Sequence, residues 1–163
     1  MLFSWLNQRS IGLLLHPTAL PGSQGVGNFG KSAFAFVDFL EATGFSQWQL
    51  CPLGPTGMGN SPYQSFSSFA GNPLLIDLEL LVAGGLLKRS ELSSLAGLPQ
   101  SYVDFNQLKG LFATAFATAS ERFTREPHTI EGYCEFDGFV TEHSAWLKPY
   151  AAFSAFKKHF SGI

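Results

Sequence analysis

Charge is scarce in this 163-residue sequence. Charged residues make up 13% of it, about half the usual share of roughly 25%, and ten Lys and Arg residues against twelve Asp and Glu residues leave a net charge of −2. No basic cluster is longer than a pair such as Lys157-Lys158. The sequence therefore excludes the electrostatic footprint of a nucleic-acid partner and the basic patch that binds an anionic membrane. With so little polar surface, we expect part of the chain to be covered by something outside it.

Long hydrophobic runs and cysteines are also few. No apolar run reaches the length needed to span a membrane, and the N-terminal segment lacks the basic leader and small-residue cleavage site of a signal peptide. Cys51 and Cys134 lie far apart in apolar surroundings. A disulfide between them is one alternative, but the pattern favours two free thiols in a reducing compartment. The predicted location is the cytoplasm.

The histidines form no metal-binding pattern. None of the four stands at ligand spacing from another His, a Cys or an acidic residue, so no metal site is predicted. His16 is the most interesting of them because it closes an apolar run, Ile11–His16, that is followed by Pro17. Two interpretations remain open for it: a hydrogen-bonded core histidine, or a side chain that lines a pocket.

The first part of the chain has the pattern of a βαβ unit. The apolar run Ile11–His16 is typical of a strand covered on both faces, as in a parallel sheet. A helix is predicted from Lys31, with Gly44 as its C-terminal stop, and a second buried strand over Ser46–Gly54. Because a helix connects them, the two strands are predicted to be parallel.

The second part is predicted to be mainly helical. Asp104 is a candidate N-cap for a helix whose buried face carries Leu108, Phe112, Ala115 and Ala119. A further amphipathic stretch runs from residue 136 to residue 160 and carries Val140, Trp146, Phe153 and Phe160 on one face; Pro149 inside it predicts a kink or two helices. The predicted fold class is α/β, with residues 1–85 holding the βαβ part and residues 86–163 a mainly helical subdomain.

A literal G-x-G-x-x-G stands at residues 25–30, between the first strand and the helix. The dinucleotide-binding motif needs its glycines directly after the strand and an acidic residue at the end of the next strand. Here eight residues separate His16 from Gly25, and the second strand ends at Cys51-Pro52 without an acid. We therefore interpret the glycines as positions where this loop packs closely against a neighbour.

The segment GNSPYQSFSSFAGNP, residues 59–73, is the strongest candidate for a ligand-binding loop. It has no charged residue, no His and no Cys, but three aromatic residues, three amides and four serines, and it follows the second strand. Ligands of α/β proteins bind at the carboxyl ends of strands. Asn60, Ser61 and Gln64 suit the hydroxyls of a sugar, and Tyr63 suits its apolar face. Phe66 and Phe69 are predicted to be buried core anchors.

Catalytic residues cannot be assigned from these patterns. Asp77 with Glu79, and Glu135 with Asp137, are spaced so that each pair would share a face of a strand, and two nearby carboxylates can carry out glycosidic chemistry. Neither pair lies in a loop rich in glycine or aromatic residues, and no Ser, His and acid constellation is present. The residues alone thus predict a ligand platform without catalytic machinery.

Two long motifs, GLLLHPTALPGSQGVGNFG and WQLCPLGPTGMGNSPYQSFSSFAGNPLLIDLELL, resemble the N-terminal part of the 4-α-glucanotransferases of glycoside hydrolase family 77, the amylomaltases or disproportionating enzymes. WLKPYAAFSAFKKHF resembles that family more weakly. The resemblance implies a (β/α)8 TIM barrel, incomplete in this chain, with inserted subdomains. It also implies a retaining transfer of α-1,4-glucan segments between maltodextrins, with no metal and no organic cofactor.

For the site, the resemblance implies that Tyr63 is the aromatic platform beside the scissile sugar and that Ser61 donates to glucan hydroxyls. It further implies that the catalytic carboxylates lie outside this chain, which is then an inactive N-terminal fragment whose exposed edges the remainder of the barrel covers. Ala19, Met58 and Pro149 depart from the family pattern. Two alternatives remain: a non-catalytic glucan-binding module, or a structural piece that assembles with another chain.

Overall fold

A computed structural model describes residues 9–125 and 135–160. The helices and strands along the chain are β1 (Gly12–Leu14), α1 (Lys31–Ala42), β2 (Gln47–Gln49), α2 (Leu78–Ala83), α3 (Phe105–Arg125), α4 (Phe136–Glu142) and α5 (Ser144–His159). Short 3-10 helices cover Pro17–Ala19, Met58–Asn60, Pro73–Leu75 and Arg89–Gly97. Within the described ranges, no helix is long and apolar enough to cross a membrane. Cys134, His128 and most of the connection before α4 lie outside those ranges.

The two strands and α1 form the predicted βαβ unit. β1 and β2 pair in parallel, with Leu13 opposite Trp48, and the Leu15 N–H donates to the Gln49 carbonyl (3.2 Å). Trp48 contacts Phe36 of α1 edge to face, with ring centroids 4.9 Å apart, so the helix covers this face of the sheet. The predicted topology is therefore confirmed.

The expected burial of the first strand is wrong for this chain. Leu14 is 58% exposed, and both strands are three residues long rather than six or more. Side chains alternate between the two faces of a strand, so α1 can cover only one of them. In the described part of the chain the sheet has two strands, and Leu14 points to the uncovered face.

Helix α1 ends where the sequence predicts. The Phe45 N–H donates to the Leu40 carbonyl (2.9 Å) and the Gly44 N–H to the Glu41 carbonyl (3.1 Å), which is the Schellman arrangement. Gly44 takes a φ of +79°, a conformation that costs glycine nothing and that side chains with a Cβ disfavour. This turn sends the chain back into β2, beside β1.

The glycine-rich loop at residues 25–30 serves close packing, as interpreted from the sequence. The Gly27 N–H donates to the Thr18 carbonyl (3.1 Å), and a Cβ at Gly27 would collide with the carbonyl oxygens of Pro17 and Leu20. Gln24, buried beside these glycines, accepts a hydrogen bond from the Leu78 N–H (2.6 Å) and thereby ties the loop to the first turn of α2.

The hydrophobic core lies away from the sheet, between α2, the 89–97 segment and α3. Its buried members are Val26, Leu74, Leu78, Leu86, Leu87, Leu95, Leu98, Leu108, Phe112 and Ala119. The predicted face of α3 is confirmed, since Leu108 and Phe112 are fully buried and Ala115 packs against the core. Asp104 caps α3 by accepting hydrogen bonds from the N–H groups of Asn106 and Gln107 (both 3.1 Å). The core takes residues from both sides of position 85, and the proposed division into two parts there stays a prediction.

The C-terminal stretch forms two helices, as predicted, but the break falls at His143 instead of Pro149. Pro149 lies inside α5, and His143 has a φ of −101° and a ψ of 11° between the helices. Neither helix has a buried residue, so the predicted apolar face of this stretch is not covered by the described residues. Pro149 is the sixth residue of α5, beyond the first turn where a proline costs no hydrogen bond, so it removes one backbone bond of this helix.

Candidate functional site

The uncharged loop after β2 is an ordered hairpin, which we call the 54–73 hairpin. The Gly57 N–H donates to the Gln64 carbonyl (2.8 Å), and the Phe66 N–H donates to the Pro55 carbonyl (3.2 Å). Thr56 and Ser65 face each other as an antiparallel bridge. Near the base of the loop, the Asn72 N–H donates to the Leu53 carbonyl (2.8 Å). The backbone of the candidate site is therefore held by its own hydrogen bonds.

The tip of the 54–73 hairpin is a tight turn that presents Tyr63. Ser61 accepts two bonds: its hydroxyl from the Tyr63 N–H (3.3 Å) and its carbonyl from the Gln64 N–H (3.1 Å). Pro62 occupies the second position of this four-residue turn, where its fixed φ is favourable. The turn leaves the Tyr63 side chain 75% exposed.

Tyr63 stands at the C-terminal end of β2. Its phenolic oxygen donates to the sulfur of Cys51, 3.8 Å away, and Cys51 follows β2 by two residues. This hydrogen bond, together with the electrostatic influence of Cys51, raises the pKa of Tyr63 above its ordinary value. The contact fixes one edge of the ring and leaves the rest of it open to solvent.

A cleft of about 450 Å³ opens beside Tyr63. Its walls are uncharged and carry hydroxyl groups and rings, namely Pro52, Pro62, Tyr63, Ser65, Phe66, Ser67 and Ser68. Gln64, the next residue along the chain, lines a separate cavity instead. Ser61 is engaged with the backbone of its own turn. The structure thus brings Tyr63 together with a row of serines, and it places Gln64 on another cavity.

Asn60 has an unusual environment. It adopts a φ of 57°, a left-handed conformation that Asn tolerates better than most residues, and its side-chain oxygen is buried without a hydrogen-bond partner. A buried carbonyl oxygen without a hydrogen-bond donor costs free energy, and this atom is closed to solvent. Among the buried side-chain polar atoms of the described residues, the Asn60 oxygen is the one without a hydrogen-bond partner.

His16 joins the ends of the two strands. Its Nδ1 lies 2.8 Å from the Thr18 hydroxyl and also caps the Pro17–Ala19 turn by accepting from the Thr18 N–H (3.4 Å). Burial lowers the pKa of His16, and a hydrogen bond with the Pro52 backbone opposes that shift. The ring is half-buried and hydrogen-bonded, which favours the structural interpretation over a pocket-lining one.

The prediction that Phe66 and Phe69 are buried core anchors is wrong for this chain. Both are exposed, Phe69 by 71%, although each contacts one ring of α5: Phe66 lies 5.8 Å from Phe153, and Phe69 stacks 6.0 Å from Trp146. A ring is buried only when several elements surround it, and here a single helix covers one side. The hairpin is nevertheless joined to α5 through these two ring pairs.

The candidate carboxylates near α2 have structural roles. Asp77 caps α2 by accepting from the Glu79 N–H (3.0 Å), and Glu79 forms an ion pair with Arg89 (2.6 Å).

In the ranges that the structure describes, no group of three or more His, Cys, Asp or Glu side chains could hold a metal ion. Sequence reasoning missed the contact between Tyr63 and Cys51, because residues twelve apart share no local motif that would signal it.

A parallel βαβ unit with an ordered loop at the carboxyl end of its second strand places the chain in the α/β class, in which ligands bind at strand ends. A sequence profile of the 4-alpha-glucanotransferases matches residues 15–163, so the chain belongs to that family. The resemblance seen in the sequence is thereby confirmed.

The chain is similar to 4-alpha-glucanotransferases of bacteria and plants. It is 39% identical over 159 residues to the enzyme of Streptococcus pneumoniae and 44% identical over 155 residues to that of Thermus thermophilus, covering 97% and 95% of this chain. It is also similar to the amylomaltase of Streptococcus agalactiae in complex with acarbose, with a TM-score of 0.85, 37% identity and 96% coverage. The chain spans about 30% of the length of these relatives, 31%, 30% and 31% respectively.

Proposed function

We propose that this chain is the N-terminal portion of a 4-α-glucanotransferase that transfers α-1,4-glucan segments between maltodextrins by a retaining mechanism. In this proposal the chain supplies part of a (β/α)8 barrel and the 54–73 hairpin binds the glucan. The catalytic carboxylates belong to later strands of the barrel, no cofactor takes part, and the protein acts in cytoplasmic carbohydrate metabolism.

The observation that carries the proposal is the environment of Tyr63. Its ring is exposed beside β2 and opens onto a cleft whose walls are uncharged and rich in hydroxyl groups. Glucose units have flat C–H faces that stack on aromatic rings and hydroxyls that need hydrogen-bond partners. Ser67 and Ser68 in the cleft supply such partners.

The uncovered sheet supports the barrel part of the proposal. A parallel sheet is stable when both faces are covered and when its edges are paired or closed into a barrel. Here two strands pair, and Ile11 and Leu14 are both exposed. We propose that further strands and helices of the complete enzyme cover these positions.

Glucan binding by Tyr63 is tested by titrating the chain with maltoheptaose and following the signals of the protein by NMR. We expect Tyr63→Ala to weaken binding roughly ten-fold, because the stacking ring is lost, and Tyr63→Phe to keep most of it. Tyr102→Ala is the matched control, since Tyr102 is 63% exposed but does not line the cleft. Equal weakening by both alanine variants would refute the platform.

The proposal that the catalytic carboxylates lie outside this chain is tested separately with maltotriose. We expect the purified chain to produce neither glucose nor longer maltodextrins, because the carboxylates near α2 are engaged in a helix cap and an ion pair. Chromatography of the sugars after prolonged incubation is the measurement. Disproportionation by the pure chain would overturn this part and would direct mutagenesis to Asp77 and Glu79.

The alternative of a free-standing glucan-binding module makes a different prediction in the same experiments. The internal hydrogen bonds of the 54–73 hairpin are the observation that favours it, because they order the loop without help from other strands. A module would bind maltoheptaose with full affinity as an isolated chain. A portion of an enzyme would bind weakly alone and gain affinity when the rest of the barrel is supplied.

A further inference from the structure

A second cavity lies between the 54–73 hairpin, α3 and α5. We call it the lysine cleft. It has a volume of about 570 Å³ and is lined by Thr56, Gly57, Gln64, Ser65, Phe66, Lys109 and Lys157. Lys109 comes from α3 and Lys157 from α5, so folding brings together two cations that are far apart in the sequence.

The lining of the lysine cleft is positively charged and uncompensated. It contains two ammonium groups and no carboxylate. The ion pairs of the described residues are Arg89–Glu79, Arg122–Glu91 and Arg125–Glu121, and they involve neither lysine. Thr56 and Gln64 add a hydroxyl and an amide that can donate hydrogen bonds. In a chain with a net charge of −2, this is a local concentration of donors and positive charge.

Lys157 is held at the wall of the cleft. Its Nζ lies 4.5 Å from the centroid of the Phe66 ring, a cation–π arrangement, and Phe153 of the same helix packs on that ring. A long lysine side chain loses considerable rotamer entropy when it is fixed in one place. Because contact with Phe66 already restrains the ammonium group, a ligand that binds it causes less of that loss.

We propose that the lysine cleft binds a phosphate monoester carried by a sugar. Such a group has a charge of about −1.5 to −2 at pH 7 and accepts hydrogen bonds on three oxygens, which matches two ammonium groups and neighbouring neutral donors. A carboxylate carries one charge and would leave one lysine uncompensated. The cleft shares Ser65 and Phe66 with the cleft beside Tyr63, so a phosphorylated glucan bound at one reaches toward the other.

Titration of the 163-residue chain with inorganic phosphate and with glucose 6-phosphate at low ionic strength, followed by ³¹P NMR, tests the proposal. Saturable binding is expected, and glucose should not compete with it. Lys157→Gln and Lys109→Gln should each weaken binding roughly five- to ten-fold, because each removes a charge-assisted hydrogen bond. Lys157→Arg should retain most of the affinity, and thermal melts of all variants verify that they are folded.

Lys158→Gln is the matched control. It makes the same change of charge one residue along α5, at a side chain that does not line the cleft, and it should leave binding unchanged. Absence of saturable binding, or equal loss with Lys158→Gln and Lys157→Gln, would overturn the proposal.

The phosphate group could come from a phosphorylated glucan or from a free sugar phosphate. A maltodextrin that carries a 6-phosphate distinguishes these two ligands. If the natural ligand is a phosphorylated glucan, this probe should bind more tightly than glucose 6-phosphate, and Tyr63→Ala should remove the difference. If it is a free sugar phosphate, the two probes should bind equally and Tyr63→Ala should have no effect. Phosphate binding without any binding of maltoheptaose would refute the proposed glucan site and leave the lysine cleft intact.

Discussion

Two aromatic residues of this protein show how burial separates a structural side chain from a candidate functional one. Phe112 of α3 is 1% exposed and contacts Phe116 edge to face at 5.7 Å within the core. Tyr63 is exposed and contacts the thiol of Cys51. Substitution of the first should therefore act on stability and substitution of the second on binding.

Phe112→Ala is expected to lower the free energy of unfolding by about 3–5 kcal/mol, because it removes a large buried ring and leaves a cavity. Tyr63→Ala should leave the midpoint of urea denaturation nearly unchanged. Circular dichroism during urea titration measures both. A large loss of stability in the Tyr63 variant would mean that its ring serves packing, and the interpretation of the hairpin tip as a ligand platform would fail.

At the scale of elements, an ion pair joins the 89–97 segment to α3. Arg122 pairs with Glu91 at 2.6 Å and also donates to the Leu86 carbonyl (3.0 Å), while Glu91 accepts from the Lys88 N–H (2.8 Å). The Arg122 hydrogen bond, supported by that backbone bond, lowers the pKa of Glu91 from its ordinary value of 4.5 to about 2. The carboxylate is thus stabilised in its charged form by folding.

This lowered pKa predicts a dependence of stability on pH. A group whose pKa is lower in the folded state stabilises the protein above its unfolded pKa and loses that effect as the pH falls through its folded pKa. The contribution of Glu91 should be complete above pH 4.5 and disappear as the pH falls toward about 2. Both partners are partly exposed, so salt should reduce the effect.

The measurement is the melting temperature of the wild type and of Glu91→Gln across this pH range. The variant should be less stable near neutral pH, and the difference should shrink to nothing near pH 2. Glu142→Gln, at an exposed position of α4 outside this contact, is the control and should show no such convergence. A difference that stays constant with pH would show that Glu91 acts through packing and not through its charge.

At the scale of the whole molecule, a large apolar surface is uncovered. The core lies between α2, the 89–97 segment and α3, whereas the sheet, the outer side of α1 and much of α5 remain exposed. The exposed large apolar residues in these parts are Ile11, Leu14, Phe34, Val37, Phe39, Phe153, Phe156 and Phe160. An apolar area of this extent marks an interface or a tendency to associate.

The isolated chain is therefore expected to associate as its concentration rises. Size-exclusion chromatography with light scattering should show a mass that increases with concentration, and Phe34→Asp should reduce that increase, because Phe34 is among the most exposed rings of α1. Lys31→Asp, a polar position in the first turn of the same helix, is the control. A monomer at all concentrations with cooperative melting would indicate a self-sufficient domain.

The features that could be read from the sequence are those governed by residues close together along the chain. Helix α1 stops before Gly44 because a left-handed turn at that glycine satisfies its last carbonyls, and α3 buries Leu108 and Phe112 because apolar residues recur at helical spacing. The parallel pairing of the strands follows from the helix between them. The family was also recognisable, because its motifs are long and continuous.

Other features depend on contacts between distant residues, and no local pattern encodes those. The position of Tyr63 against Cys51, the exposure of Phe69 and the placement of Lys109 and Lys157 on one cavity are all set by how the 54–73 hairpin packs against β2, α3 and α5. The burial of a strand likewise depends on what covers its second face, so an apolar run such as residues 11–16 predicts the strand but not its surroundings. Chain neighbours decide local conformation, whereas burial and the geometry of a site are decided by the sum of packing contacts across the folded chain.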